Sequence, residues 1–141
     1  MSNKIFKKEK LPFIEIRYIQ DVRSCEKKHC HKELVFTAIK QGSIDIIFED
    51  KIDSLKTNEL SLINPLEIHC AQLHDSLCKD CYVMYLDKDW MRDLQKSLFE
   101  EDIEYLLFNT SLVKDKRVHK TFISLCESFF LDDMDSFIIQ Y

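Results

Sequence analysis

Two histidines one residue apart, His29 and His31, stand well ahead of a third, His69, and Glu33 follows two positions after His31. Side chains of an extended strand alternate between faces, so His29, His31 and Glu33 would share one wall while Cys30 points away. Neutral imidazoles gathered this way suit zinc, nickel, copper or iron, with Glu33 as a fourth ligand and an incomplete shell open to an effector. The same residues could instead line a polar pocket mouth and hydrogen-bond an organic ligand or one another. Cys78-Lys79-Asp80-Cys81 is a Cys-x-x-Cys pair, a spacing that can chelate zinc or form a redox switch. Its alternative is a pair of reduced thiols in a loop, since a structural zinc site would need two more ligands from Cys25, Cys30, Cys70 or His74. Tyr82 and Tyr85 lie at odd separation, so one should enter the interior as an effector contact and the other face outward. His74 and His119 have no company in sequence and read as solvated or satisfied side chains; Cys126 reads as core.

Positioning these groups falls to short strands. Ile14, Ile16 and Tyr18 alternate with Glu15 and Arg17, and the apolar run Leu34 to Ile39 leads to a turn expected at Gln41-Gly42. Ile44, Ile46 and Phe48 resume the alternation, Leu60 and Leu62 precede an Asn64-Pro65 turn, and Tyr82 to Leu86 forms a last apolar strand. Short strands with turn signals at this spacing predict a sandwich or barrel over residues 13–86, after a mobile basic arm at 1–12. The pattern becomes helical over 87–141. Asp87 offers an N-cap to a helix carrying Trp90, Leu94 and Leu98, and Glu100 to Phe108 predicts a second. A third begins near Asp115 with Val118, Phe122, Leu125 and Phe129 on one stripe, is interrupted at Asp132-Asp133, and is followed by the Phe137–Ile139 run. That stripe either packs on the barrel or forms a dimer seam. The chain reaches Tyr141 without a helix stop signal, so a continuation is expected beyond it.

The composition narrows the function. At 141 residues there is room for one cored domain, and one glycine with two prolines argues against long linkers. A formal charge of −5 offers no footprint for a phosphate backbone, so this segment is not expected to bind nucleic acid itself. No apolar run is long enough for a bilayer, and the lysine-rich start lacks a secretory core, so a cytoplasmic location with six reduced cysteines is expected.

The stretch from His29 to Trp90 resembles the N-terminal cupin domain of AraC-type transcription regulators. The resemblance rests on His29 and His31, Gly42, the block Asn58-Glu59-Leu60-Ser61-Leu62-Ile63-Asn64-Pro65-Leu66-Glu67-Ile68-His69, and the junction Tyr82-Val83-Met84-Tyr85-Leu86-Asp87-Lys88-Asp89-Trp90. It implies a double-stranded β-helix sensor followed by dimerisation helices, with Val118, Phe122, Leu125 and Phe129 as the seam. It also implies a small-molecule effector or divalent metal near His29, His31, Glu33, His69, Tyr82 and Tyr85. DNA would be read only by helix-turn-helix motifs beyond this chain. Asn58 and Leu66 stand where the family usually or often has glycine, and Asn58 tolerates a left-handed turn. Val35 and Phe36 stand where cupin enzymes place a metal-closing glutamate. The reading is therefore a non-enzymatic sensor, against the alternatives of a metal-dependent cupin dioxygenase or isomerase and a thiol or metal sensor using Cys78 and Cys81.

Overall fold

Ile14, Ile16 and Tyr18 are buried while Glu15 and Arg17 are less so, the two-residue period of a strand covered more fully on one face. The structure is a computed structural model that describes residues 3–25, 27–73, 77–99 and 107–139, with side chains described as far as Leu131. Its elements in chain order are β1 (Lys4–Phe6), β2 (Ile14–Asp21), β3 (Leu34–Phe48), β4 (Ile52–Lys56), β5 (Leu60–Ile63), β6 (His69–Gln72), β7 (Cys78–Leu86), α1 (Lys88–Phe99), β8 (Leu112–Val113) and α2 (Lys116–Ile139).

One sheet runs β1-β2-β7-β3-β5-β8, and all its pairings are antiparallel. Strand β3 passes out of this sheet into a second one, where its distal half pairs with β4 and β6. The passage happens at Gly42. Its φ is 88°, and a Cβ there would lie 1.6 Å from the Leu77 carbonyl oxygen. Only glycine fits both the left-handed backbone and the close approach. The turn expected at Gln41-Gly42 is therefore a bend inside one 15-residue strand.

The two sheets enclose Val35, Ile39, Ile44, Ile46, Leu55, Ile63 and Val83. A second core lies on the outer face of the first sheet, where Ile16, Tyr18, Ala38, Leu62, Tyr82 and Met84 meet Phe122, Ile123 and Cys126 of α2. Both faces of β7 are thus covered, which is why its sequence is apolar without a clean alternation. At ~1.5–3 kcal/mol for each large side chain buried, these two layers hold the fold. The architecture is mostly β, a double-stranded β-helix with a helical appendage.

Caps and tethers fix the helices. Asp87 accepts from the Trp90 amide at 2.9 Å to start α1, and Asp115 accepts from the Arg117 amide at 2.9 Å to start α2. His119 bonds the Ile39 carbonyl at 2.8 Å through Nε2, so it is a satisfied histidine that pins α2 to β3. Trp90 stacks on Phe13 at 4.4 Å, whereas Leu94 and Leu98 of the same expected stripe are exposed.

Other expectations are corrected. Part of the stretch read as a mobile arm is strand β1, and Phe6 is a core residue packed 5.2 Å from Phe129. Helix α2 continues through Asp132-Asp133 to Ile139 without interruption. The helix expected over Glu100 to Phe108 lies largely outside the described residues, as does His74. Among the described residues, no helix is long and apolar enough to cross a membrane.

Candidate functional site

His29 and His31 are not on a regular strand. His29 forms a lone bridge to His69, a bend at 32–33 separates His31 from β3, and the Leu66 amide donates to the His31 carbonyl at 2.7 Å. The backbone that delivers His69 is a tight turn. Pro65 occupies its second position, Leu66 its third at a φ of 63°, and the Glu67 amide closes it onto the Asn64 carbonyl at 3.3 Å. This is the type II pattern, in which the third position favours glycine. The Asn64 side chain also bonds both the amide and the carbonyl of Phe108, at 3.0 and 2.9 Å, which anchors the turn to the segment after α1.

The result is a cluster of three imidazoles. Ring centroids lie 4.9 Å apart for His29–His31, 4.5 Å for His29–His69 and 5.4 Å for His31–His69. One ring nitrogen from each residue falls within 4.8 Å of the others. His69 Nδ1 is 2.9 Å from the Glu67 carbonyl and His29 Nδ1 is 3.1 Å from the Lys27 carbonyl. A carbonyl only accepts, so both Nδ1 atoms carry the proton and both Nε2 lone pairs are left to bind an ion. Burial, then the neighbouring imidazoles, hold His31 below the usual histidine range, and burial does the same for His69. Neutral imidazole is the form that ligates. The donor set fits a divalent ion such as zinc, nickel, copper or iron held by three nitrogens.

Beside this cluster opens a cavity of about 320 Å3 lined by Lys7, Glu15, Arg17, His31, Glu33 and Tyr85, among others. Glu15 joins Arg17 at 2.7 Å and Lys7 at 3.5 Å, and the Arg17 guanidinium lies 5.2 Å from the Tyr85 ring centroid. Tyr85 in turn meets His31 edge-on at 5.3 Å. Arg17, Glu15 and Lys7 were not singled out in the sequence. The signal was present in the strand period, because Glu15 and Arg17 share a face with Ile19, which faces the barrel interior. The charged face of β2 lines the mouth because the apolar face is already covered by α2.

The structure sorts the remaining candidates. Glu33 lines the cavity but is outside the three-nitrogen cluster. Val35 is buried in the barrel interior, so no carboxylate closes the site from that position. Tyr85 is the inward tyrosine; Tyr82 belongs to the outer core beneath α2, 5.1 Å from Tyr18, and is not a mouth residue. Cys78 and Cys81 are in strand β7, not a loop. Asp80 between them has a φ of 55°, and both cysteines sit in the barrel interior. Burial pushes the Cys78 thiol up to about 11 and Cys81 higher still, which opposes the thiolate that metal or redox chemistry needs. Among the described residues, the group with metal-binding geometry is the histidine trio, without these cysteines. On α2, Phe122 is 8 % exposed and packs on its own sheet with Phe129, while Val118 and Leu125 face solvent. Of the four stripe residues, Phe122 and Phe129 are therefore spent on the chain's own core, and Val118 and Leu125 are left at the surface.

Two antiparallel sheets that share β3, with imidazoles and an open polar cavity at one end, define a ligand-binding domain of the cupin type. The chain belongs to the family described as AraC-like ligand binding domain, whose model matches residues 11–134. No curated protein matches the chain in sequence. Among solved structures, the Clostridium difficile EutQ protein is similar at 16% identity and a TM-score of 0.51, over 62% of this chain and 68% of that one. A cupin-2 domain protein from Shewanella frigidimarina aligns at 14% identity and a TM-score of 0.49, over 60% of this chain and 79% of that one. The cupin-2 domain of an XRE family transcriptional regulator from Enterobacter cloacae aligns at 8% identity and a TM-score of 0.49, over 61% and 97%.

Proposed function

We propose that this chain is the sensing half of an AraC-type transcription regulator, which loads a divalent metal or a small polar molecule at the barrel mouth and thereby controls an attached DNA-binding part. The observation that carries this reading is the convergence of His29, His31 and His69, two of them with Nδ1 committed to backbone carbonyls. The cavity beside them leaves room for an effector that touches Arg17, Glu33 or Tyr85.

Transmission needs an element that feels both the mouth and α2. Lys7 and Phe6 supply one. Lys7 lines the mouth and pairs with Glu15, while Phe6, next in the chain, packs on Phe129 and Phe130. An occupant that competes for Glu15 alters the anchorage of β1, and with it one contact of α2. It shifts the population only by the difference between its affinities for the two arrangements.

Calorimetric titration of the metal-stripped chain with zinc and with nickel tests this. One site per chain is expected, together with altered amide hydrogen exchange in β1 and α2 on loading. No binding of either ion would remove the metal from the proposal. Binding that leaves exchange in β1 and α2 unchanged would remove the sensing role.

A further inference from the structure

A cavity of about 340 Å3 lies where the first half of α2 meets β3 and the turn between β4 and β5; it is lined by Lys40, Asn58, Lys116, His119, Lys120 and Glu127, among others. It shares no residue with the mouth. Two hydrogen bonds hold these walls together. His119 is 8 % exposed and its Nε2 donates to the Ile39 carbonyl at 2.8 Å, and the Thr57 hydroxyl donates to the Lys40 carbonyl at 3.4 Å. Lys116, Lys120 and Glu127 recur at helical spacing, four and seven residues apart, so α2 gathers them on the face that meets Lys40.

The charges select the ligand. Three lysines against one glutamate leave two positive charges around the cavity, on a chain whose formal charge is −5. Lys40 pairs with Glu127 at 3.3 Å, but both side chains are more than two-fifths exposed, and an exposed pair is weakly held. Among the described residues, Lys116 and Lys120 have no carboxylate partner. The neighbouring carboxylates are committed elsewhere: Asp115 accepts from the Arg117 amide at 2.9 Å, and Glu59 from the Lys56 amide at 2.9 Å. An excess of two positive charges matches a phosphomonoester, which carries about −1.5 to −2 at pH 7. Ammonium groups, unlike the planar fork of arginine, meet a tetrahedral anion as point charges. A long polyanion is disfavoured, because the acidic remainder of the chain would repel it.

We propose that this cavity binds the phosphate group of a small phosphomonoester, with Lys116 and Lys120 on its oxygens and Lys40 drawn from Glu127 to join them. Such a ligand touches β3 and α2 at once, so it bears on the seat of the helix without entering the mouth. It is a second effector site, and it does not depend on whether the histidines hold a metal.

Glycerol 3-phosphate is the probe, titrated at constant ionic strength into 15N-labelled, metal-stripped protein. Amides of Lys40, Asn58, Lys116 and Lys120 are expected to shift and saturate; sulfate should compete, and glycerol should do nothing. Lys116→Gln with Lys120→Gln should weaken binding at least about tenfold, the loss of one or more charge-assisted hydrogen bonds. Lys10→Gln with Lys88→Gln removes the same charge away from the cavity and should leave the affinity unchanged. Glu127→Gln should tighten binding about threefold, because it frees Lys40 and removes the competing carboxylate. All five positions are exposed, and circular dichroism confirms the fold of each variant. Shifts centred on Glu33 and Tyr85, an equal loss in both lysine pairs, weaker binding in Glu127→Gln, or no saturation up to about 20 mM overturns the proposal. So does tighter binding of duplex DNA or of phosphatidylserine vesicles through the same lysines, which would assign the face to a polyanion or to a membrane.

Discussion

His29 and His69 exchange both backbone hydrogen bonds, N to O at 2.9 Å in each direction, so an isolated bridge sets the spacing of their rings. Each imidazole is oriented by a carbonyl two residues before it. Replacing one ligating imidazole should therefore lower zinc or nickel affinity without unfolding the barrel. His31→Ala is expected to cost more than the ~10–100-fold typical of losing an outer-shell partner. Glu33→Gln should change affinity little, because Glu33 is outside the cluster. Equal losses in both variants would point to a carboxylate site instead.

The same imidazoles make the metal-free fold sensitive to acid. Both His31 and His69 titrate below the ordinary value of 6.5 when folded, for reasons of burial. Between that value and each lowered one, the unfolded chain binds more protons than the native chain, so stability falls as pH falls through this window. It should level off once the folded groups are protonated too. Chemical denaturation of the stripped chain from pH 7 down to 5 should reveal the slope, and the double variant His31→Gln, His69→Gln should flatten it. A slope unaltered in that variant would assign the acid sensitivity to other groups.

The histidine trio was legible because its residue types are rare and its backbone punctuation, Asn64-Pro65, is local. The barrel was legible through strand period and turn residues. Gly42 was misread because a lone glycine marks a turn and an intrastrand bend equally well; only the carbonyl of Leu77, 35 residues away in sequence, distinguishes them. Arg17 and Glu15 were missed because alternation tells which residues share a face, not what covers it. Here α2 covers the apolar face and leaves the charged one to the mouth. Tyr82 was misplaced for the same reason, since odd spacing separates two tyrosines without saying which is inside. Cys78 and Cys81 come to one face through the left-handed backbone at Asp80, which no residue type announces.

Backbone strain at the site gives a stability prediction of unusual sign. Leu66 holds a φ of 63° while its side chain is 61 % exposed, so little burial offsets the left-handed conformation. Leu66→Gly should stabilise the chain by about 0.5–1 kcal/mol, the strain relieved less the added freedom of the unfolded glycine. Gly42→Ala is the counterpart and should destabilise by at least ~3 kcal/mol, because backbone, not a flexible side chain, blocks the new methyl. Denaturant midpoints at constant m-value decide both.

Thiol reactivity separates a redox or zinc-thiolate sensor from buried structural cysteines. Cys30 is exposed and Cys25 partly so, whereas Cys78, Cys81 and Cys126 are buried. At about 11, Cys78 is thiolate in roughly one molecule in ten thousand at neutral pH. Native protein should therefore react rapidly at Cys30 and Cys25, with Cys78 and Cys81 labelled only on unfolding. Rapid native labelling of Cys78 that zinc suppresses would restore the thiol-sensor reading.

Helix α2 divides its apolar stripe between two jobs, and the division can be measured. Phe122 packs on Phe36, at 6.4 Å between ring centroids, and is almost wholly buried. Phe122→Ala should cost about 3–5 kcal/mol and lower the melting temperature, whatever the oligomeric state. Val118 and Leu125 are 38 % and 47 % exposed on the same helix and border an apolar groove over Leu60, Met84 and Leu86. If a second copy covers that groove, Val118→Asp with Leu125→Asp should give folded monomers, since neither residue supports its own core. Sedimentation velocity on wild type and double variant at matched concentration is the deciding measurement. A wild type already monomeric at ~100 μM, or a variant with an unchanged dimer, would place any association of this chain elsewhere.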